Sequence, residues 1–253
     1  MAQNKLTVDE ASAAYESAMR NVLPGVAGSV CRVCGTWIGP PHDTCYPCGH
    51  QPDQLDVVVP ITYSEHLGQM HTALRNYKDG YSQAARAYAA TRLVAILWRF
   101  TDGHESCVAR AAGVDAFDLV TTVPSSTPEG DERRSTLRAI VQACRPVSGR
   151  FERVLHATGR VPSGRHYDAD RYASTADLSG RKVLLIDDTW TAGGHAQSAG
   201  AALRAGGASY VALIAVGRHV RPEWEVTPGV TSGDLLARLP KKFDWTTCRV
   251  HNV

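Results

Sequence analysis

The stretch Val183-Leu184-Leu185-Ile186-Asp187-Asp188-Thr189-Trp190-Thr191-Ala192-Gly193-Gly194-His195 governs how the rest of the chain is read. Its first four residues are uniformly apolar and, extended as Lys182 to Asp188, read as a short buried strand. That strand ends in two adjacent carboxylates, Asp187 and Asp188. The following loop contains glycines, which let backbone N–H groups approach an anion closely. A helix expected from His195 to Ala205 turns its positive end toward the same anion, and the Thr191 hydroxyl adds a donor. Carboxylates cannot themselves hold a phosphate, so their natural partner is a polyol beside one. A sugar 5-phosphate meets both demands; the bland alternative is a strand–turn–helix with a solvated acid pair.

Working outward, strands and helices alternate. Leu55 to Tyr63 (Val57-Val58-Val59, Ile61, Tyr63) and Phe117 to Val123 read as strands, and Tyr210 to Val216 as a third partner. Helices are expected over Ser64 to Tyr77, Ser82 to Phe100 and Ser135 to Ala143. Thr7-Val8-Asp9-Glu10 has the form of a capping box and predicts a helix from about Val8 to Arg20. Such alternation implies an α/β fold, a doubly wound and mainly parallel sheet, with ligands beyond the carboxyl ends of the strands. The expected organisation is an N-terminal helix and knuckle (1–52), the α/β domain (53–220) and a less regular C-terminal extension (221–253).

Two further loops belong at that sheet edge. Thr122-Val123-Pro124-Ser125-Ser126 closes the Phe117 strand and, taken alone, is simply a turn. In Tyr77-Lys78-Asp79-Gly80, Lys78 could reach a phosphate as a point charge, or be a solvated lysine before a glycine turn. The polar stretch Ala157 to Gly180 carries Arg160, Arg165, His166, Arg171 and Tyr172 and has the length and charge of a lid. A flexible connection is the alternative.

Cys31-Arg32-Val33-Cys34 and Cys45-Tyr46-Pro47-Cys48 form two C-x2-C pairs in a segment with too few apolar residues to fold on its own core. Four thiolates at this spacing fit a structural Zn²⁺, whose binding would supply the missing folding energy. Cys107 and Cys144 read as ordinary core or helix residues. Cys248-Arg249-Val250-His251 also has knuckle spacing but no second pair follows it in sequence, so it is set down to chance.

Composition sets the outer bounds. Of 253 residues, 43% are apolar and 21% charged, ordinary for a globular protein, and the net charge of +2 gives no electrostatic footprint for nucleic acid. No apolar run approaches the roughly 18–20 residues that span a bilayer. Met1 to Arg20 lacks a basic start followed by an apolar block, so a cytoplasmic, reducing setting is expected.

The acid-pair loop resembles the signature of type I phosphoribosyltransferases. By that resemblance Asp187 and Asp188 hold the ribose hydroxyls of phosphoribosyl pyrophosphate, and Thr191, Ala192, Gly193, Gly194 and His195 wrap its 5-phosphate. Ala192 stands where a second Thr is usual, and His195 where Thr or Ser usually closes the loop. The same resemblance implies that Thr122, Ser125, Ser126 and Lys78 meet the pyrophosphate. The order of knuckle, Tyr-Lys-x-Gly segment, Val-Pro turn and acid-pair loop, from Cys31 to Val216, is similar to the ComF family, phosphoribosyltransferase-like proteins linked to DNA uptake. Glu132-Arg133-Arg134-Ser135-Thr136-Leu137 replaces that family's Arg-Gly-Phe-Asn-like segment. The implied activity is Mg²⁺-dependent transfer of a phosphoribosyl group to a nucleobase or amine nitrogen. A ligand-sensing protein using the same pocket is an alternative, as is a single-stranded DNA or uptake-machinery accessory with the knuckle and Arg32 as contacts. A homodimer is a fair expectation.

Overall fold

A computed structural model describes residues 6–133, 135–160 and 166–251, with only the backbone of Glu132 and Arg133. In chain order the first elements are α1 (Val8–Glu16), α2 (Tyr46–Gly49), β1 (Val57–Glu65), α3 (Gln69–Asp79), α4 (Gln83–Ala111) and β2 (Leu119–Thr122). Then follow α5 (Pro128–Arg133), α6 (Thr136–Ala143), α7 (Arg145–Ser148), β3 (Leu155–Ala157), β4 (Tyr172–Ser174) and β5 (Lys182–Trp190). The chain continues with α8 (Gly194–Ala205), β6 (Tyr210–Val220), β7 (Glu225–Thr227), β8 (Val230–Thr231) and α9 (Ser232–Ala237).

β1, β6, β5 and β2 lie side by side in that order, every pair parallel. The apolar run Val183 to Ile186 is fully buried because β5 is an inner strand, covered on both faces. Pro60 is accommodated because β1 is an edge strand, where a missing N–H costs no ladder bond on the open side.

Successive strand residues point to opposite faces. On one face Val59, Ile61, Leu184, Ile186, Ala212 and Ile214 join a core with Leu93, Ile96, Leu97 and Phe100 of α4. On the other, Val58, Val183, Leu185, Leu213 and Ala215 pack with Ala196, Ala199, Ala202 and Leu203 of α8, and also with Cys31, Cys34 and Ile38. The cysteine knuckle is thus built onto the sheet. The tail returns to the first face, where Phe243 and Val250 enter the α4 core.

Several boundaries move for identifiable reasons. α1 stops at Glu16, short of Arg20. Its capping box is present, Thr7 accepting from the Glu10 N–H and the Glu10 carboxylate from the Thr7 N–H. α3 begins at Gln69 rather than Ser64, because β1 runs on to Glu65 and Leu67 takes a left-handed conformation, φ 64°. α4 does not end at Phe100: Thr101, His104, Cys107 and Val108 carry its buried face onward at helical spacing, and one Gly103 does not interrupt it. The Ala157 to Gly180 stretch has a hairpin at its base, β3 against β4. Arg165 lies outside the described residues.

The Cys248–His251 pair, whose spacing reads as chance in the sequence, does not stand alone. A second pair stands across from it, His104 and Cys107, one turn apart on α4. Sequence order hid the pairing, since the two halves are separated by most of the chain. Among the described residues, no helix is long and apolar enough to cross a membrane.

Candidate functional site

Beyond the carboxyl ends of the strands lies a cleft of about 610 Å³. It is lined by Lys78, Thr122, Ser125, Ser126, Asp187, Asp188, Thr191, Gly193, Gly194 and His195, so three of the sequence segments singled out above meet in one place. Ala192 is not on the wall; its carbonyl accepts a hydrogen bond from Gln51 Nε2 at 2.9 Å, tying the loop to the end of the knuckle segment.

The phosphate-type loop is shaped by β5 and α8. β5 continues through Asp187 and Asp188 to Trp190, pairing Asp187 with Ala215 and Trp190 with Arg218 of β6. Gly193 then turns at φ 86°, and a Cβ there would stand 2.3 Å from the buried Trp190 ring. Only glycine fits. Gly193 is the N-cap of the twelve-residue α8, no side chain caps that end, and Gly194, His195 and Ala196 line the cleft, so the first amides of the helix are donors without a side-chain acceptor at the cleft. His195 Nδ1 lies 2.7 Å from Tyr172 Oη, and that hydroxyl donates to the Pro124 carbonyl at 3.0 Å. Tyr172 is buried and couples the α8 loop to the Val-Pro turn.

The acid pair is divided by its surroundings. Asp188 is buried, and its carboxylate takes an ion pair from Lys78 and the Tyr77 hydroxyl proton. Lys78 therefore sits on the acid pair rather than over an open phosphate position. Burial pushes the Tyr77 phenol well above its ordinary range, with the Asp188 charge adding to it, so Tyr77 is a donor at neutral pH. Asp187 is half-buried and accepts the Asp188 backbone N–H at 2.8 Å. Burial, then the Asp188 charge, push its carboxyl up to about 7, against the opposing pull of Lys78.

The Ser125-Ser126 turn rests on a residue that no motif in the sequence marks. Asp131 is buried and accepts from the Ser125 N–H at 3.1 Å, from Arg138 at 2.9 Å and from Arg153 at 2.9 Å. No local pattern marks this acid; its role arises from three contacts made in space. Of the basic residues in the 157–180 stretch, Arg160 pairs with Asp168 and Asp170, while Arg171 is buried and donates to the His166 carbonyl.

Sequence reading also missed the far wall. His66, His71 and His219 converge there, with ring centroids 4.9 to 5.5 Å apart. Burial and the neighbouring rings push His219 down to about 4. His71 is also lowered, mainly by burial, so these two rings are neutral imidazole at neutral pH. As a metal site the wall is poorly arranged. His71 Nδ1 accepts the Leu67 N–H at 3.2 Å, which places its own proton on Nε2 and leaves no lone pair there.

Behind the cleft, Cys31, Cys34, Cys45 and Cys48 bring their sulfurs within 4.8 Å of one another, a group able to hold a metal ion. The surroundings suit the charge: a divalent ion on four thiolates is a net dianion, and two buried guanidiniums lie beside it. Arg218 lies against Cys34. Arg249 donates to the carbonyls of Val33 at 2.7 Å and Arg32 at 2.9 Å.

Comparison with protein families and with curated proteins gives no match for this chain.

Proposed function

We propose that the chain binds phosphoribosyl pyrophosphate in the cleft and transfers its phosphoribosyl group to a nitrogen nucleophile, with release of pyrophosphate. One observation carries the reading: an acid pair and the uncapped N-terminus of α8 border the same cleft as Lys78, Thr122, Ser125 and Ser126. A ligand with a diol next to a phosphate, and a second phosphate group opposite, satisfies all of these together. On this reading the sheet is the doubly wound core of a type I phosphoribosyltransferase, of the ComF kind, and the four-Cys group holds structural zinc.

The residues have separable tasks. Asp187 and Asp188 accept from the ribose hydroxyls, and amides from Gly193 to His195 donate to the 5-phosphate. His195 is steered by Tyr172, and Thr122, Ser125 and Ser126 donate to pyrophosphate from the opposite side. Lys78 leaves part of its pairing with Asp188 to meet leaving-group charge. Mg²⁺ would supply charge neutralisation of the pyrophosphate. Positioning and electrostatics then account for the rate, and no nucleophilic side chain is required. The acceptor faces the histidine wall, which suits a flat nitrogen base or an amine.

Titration calorimetry with phosphoribosyl pyrophosphate and Mg²⁺ tests this. Binding is expected for the wild type, weakened about tenfold or more in Asp187→Asn and Asp188→Asn, as for loss of a charge-assisted hydrogen bond. No heat at millimolar ligand would defeat the reading. Binding without pyrophosphate release across bases and amines would leave the sensing role and remove the transferase.

A further inference from the structure

His104 and Cys107 lie on α4, and Cys248 and His251 in the C-terminal tail; the ligand atoms of all four fall within 4.8 Å of one another. Cys107 Sγ is 3.9 Å from His104 Nδ1 and 3.5 Å from His251 Nδ1. A tetrahedral zinc with ordinary Zn–S and Zn–N bonds sets S···N edges of roughly 3.5–3.6 Å. The rings are also oriented for it. His104 Nε2 faces the Trp245 carbonyl at 2.9 Å, so its proton belongs on that nitrogen and its Nδ1 lone pair turns to the cluster. Arg110 Nη2 donates to Cys107 Sγ at 3.5 Å.

We propose that His104, Cys107, Cys248 and His251 form a second zinc site, structural, that fastens the C-terminal tail to α4. Two thiolates and two imidazoles close a tetrahedral shell with no position for substrate. The His66–His71–His219 group lacks such an arrangement, because His71 has no lone pair to offer. The site lies on the α4 face of the sheet, while the four-Cys group lies on the α8 face.

The consequence runs across the molecule. Arg249 sits between Cys248 and His251 in sequence, and its guanidinium reaches the Cys31, Arg32 and Val33 carbonyls of the knuckle. Locking the Cys248–His251 turn onto α4 therefore holds a buried cation under the first metal centre. This inference is independent of phosphoribosyl pyrophosphate binding.

The test is metal analysis of the full-length protein purified under reducing conditions. Two zinc ions per chain are expected for the wild type, and one in His251→Ala, whose side chain is exposed and whose loss spares the core. Cys45→Ser, in the other group, is also expected to retain one. Zinc absorption spectroscopy on the wild type decides the matter even if a variant misfolds: the average shell should be three sulfurs and one nitrogen per zinc. A wild type with one zinc or none, an all-sulfur shell, two zinc ions retained in both His251→Ala and Cys248→Ser, or a Cys107–Cys248 disulfide would each overturn the proposal.

Discussion

Asp187 and Asp188 are neighbours in the chain, yet the fold gives them opposite electrostatic situations. Asp188 turns inward to Tyr77 and Lys78, while Asp187 stays half-buried and accepts the Asp188 backbone N–H. Its carboxyl, pushed up to about 7 chiefly by burial, has a consequence for stability. Between about pH 4, where an unfolded aspartate titrates, and about 7, the folded chain keeps a proton the unfolded chain has lost. Stability of the ligand-free protein should therefore fall as pH rises through that window, and Asp187→Asn should flatten the slope. Urea denaturation from pH 4.5 to 7.5 measures it, and equal slopes in both proteins would contradict the assignment. Binding of a diol runs the other way, strengthening as pH rises through about 7, because the acceptor is the ionised acid.

At the scale of elements, the strand–loop–helix unit of β5 and α8 is the part the sequence announces most fully. An apolar run, two acids, glycines and a helix follow one another within a single local unit, so no distant contact is needed to recognise it. Gly193 shows what the tertiary structure adds: its left-handed turn is packed against the Trp190 ring. Gly193→Ala should cost about 1–3 kcal/mol of stability from strain alone, and displace the α8 amides. Chemical denaturation and phosphoribosyl pyrophosphate titration of that variant check it; unchanged affinity would mean that these amides do not hold the phosphate. Other elements were less legible. The end of α4 was hidden by Asp102 and Gly103, although buried residues resume at once. The base of the 157–180 stretch forms a hairpin through strand pairing that its polar composition does not advertise.

Across the whole molecule, the tail 221–253 does more than extend the α/β domain. Trp245 packs on Phe243 and donates from its indole N–H to Glu16 of α1 at 2.7 Å, and Arg249 reaches the knuckle on the opposite face of the sheet. Replacing Arg249 by Met keeps bulk but removes the guanidinium that donates to the Val33, Cys31 and Arg32 carbonyls, of which Cys31 keeps the Gly35 N–H, and leaves the sulfur cluster with one cation fewer. A loss of about 3–5 kcal/mol is expected, as for a buried charge partner removed. Hydrogen exchange should rise in residues 31–48 before it rises in β5; uniform protection would show that the tail does not support the knuckle.

The sequence by itself determined what is periodic or contiguous: an α/β chain, the buried Val183–Ile186 strand, the acid pair with its glycine loop, and the C-x2-C pairs. These signals are local, because strand burial, loop conformation and knuckle geometry depend on residues a few positions apart. Only the tertiary structure decided that Lys78 pairs with Asp188, that Asp131 props the Ser125 turn, that three histidines share a wall, and that Cys248 and His251 face His104 and Cys107. Each of those joins residues from separate elements, and the packing that brings them together leaves no spacing in the chain from which to read it.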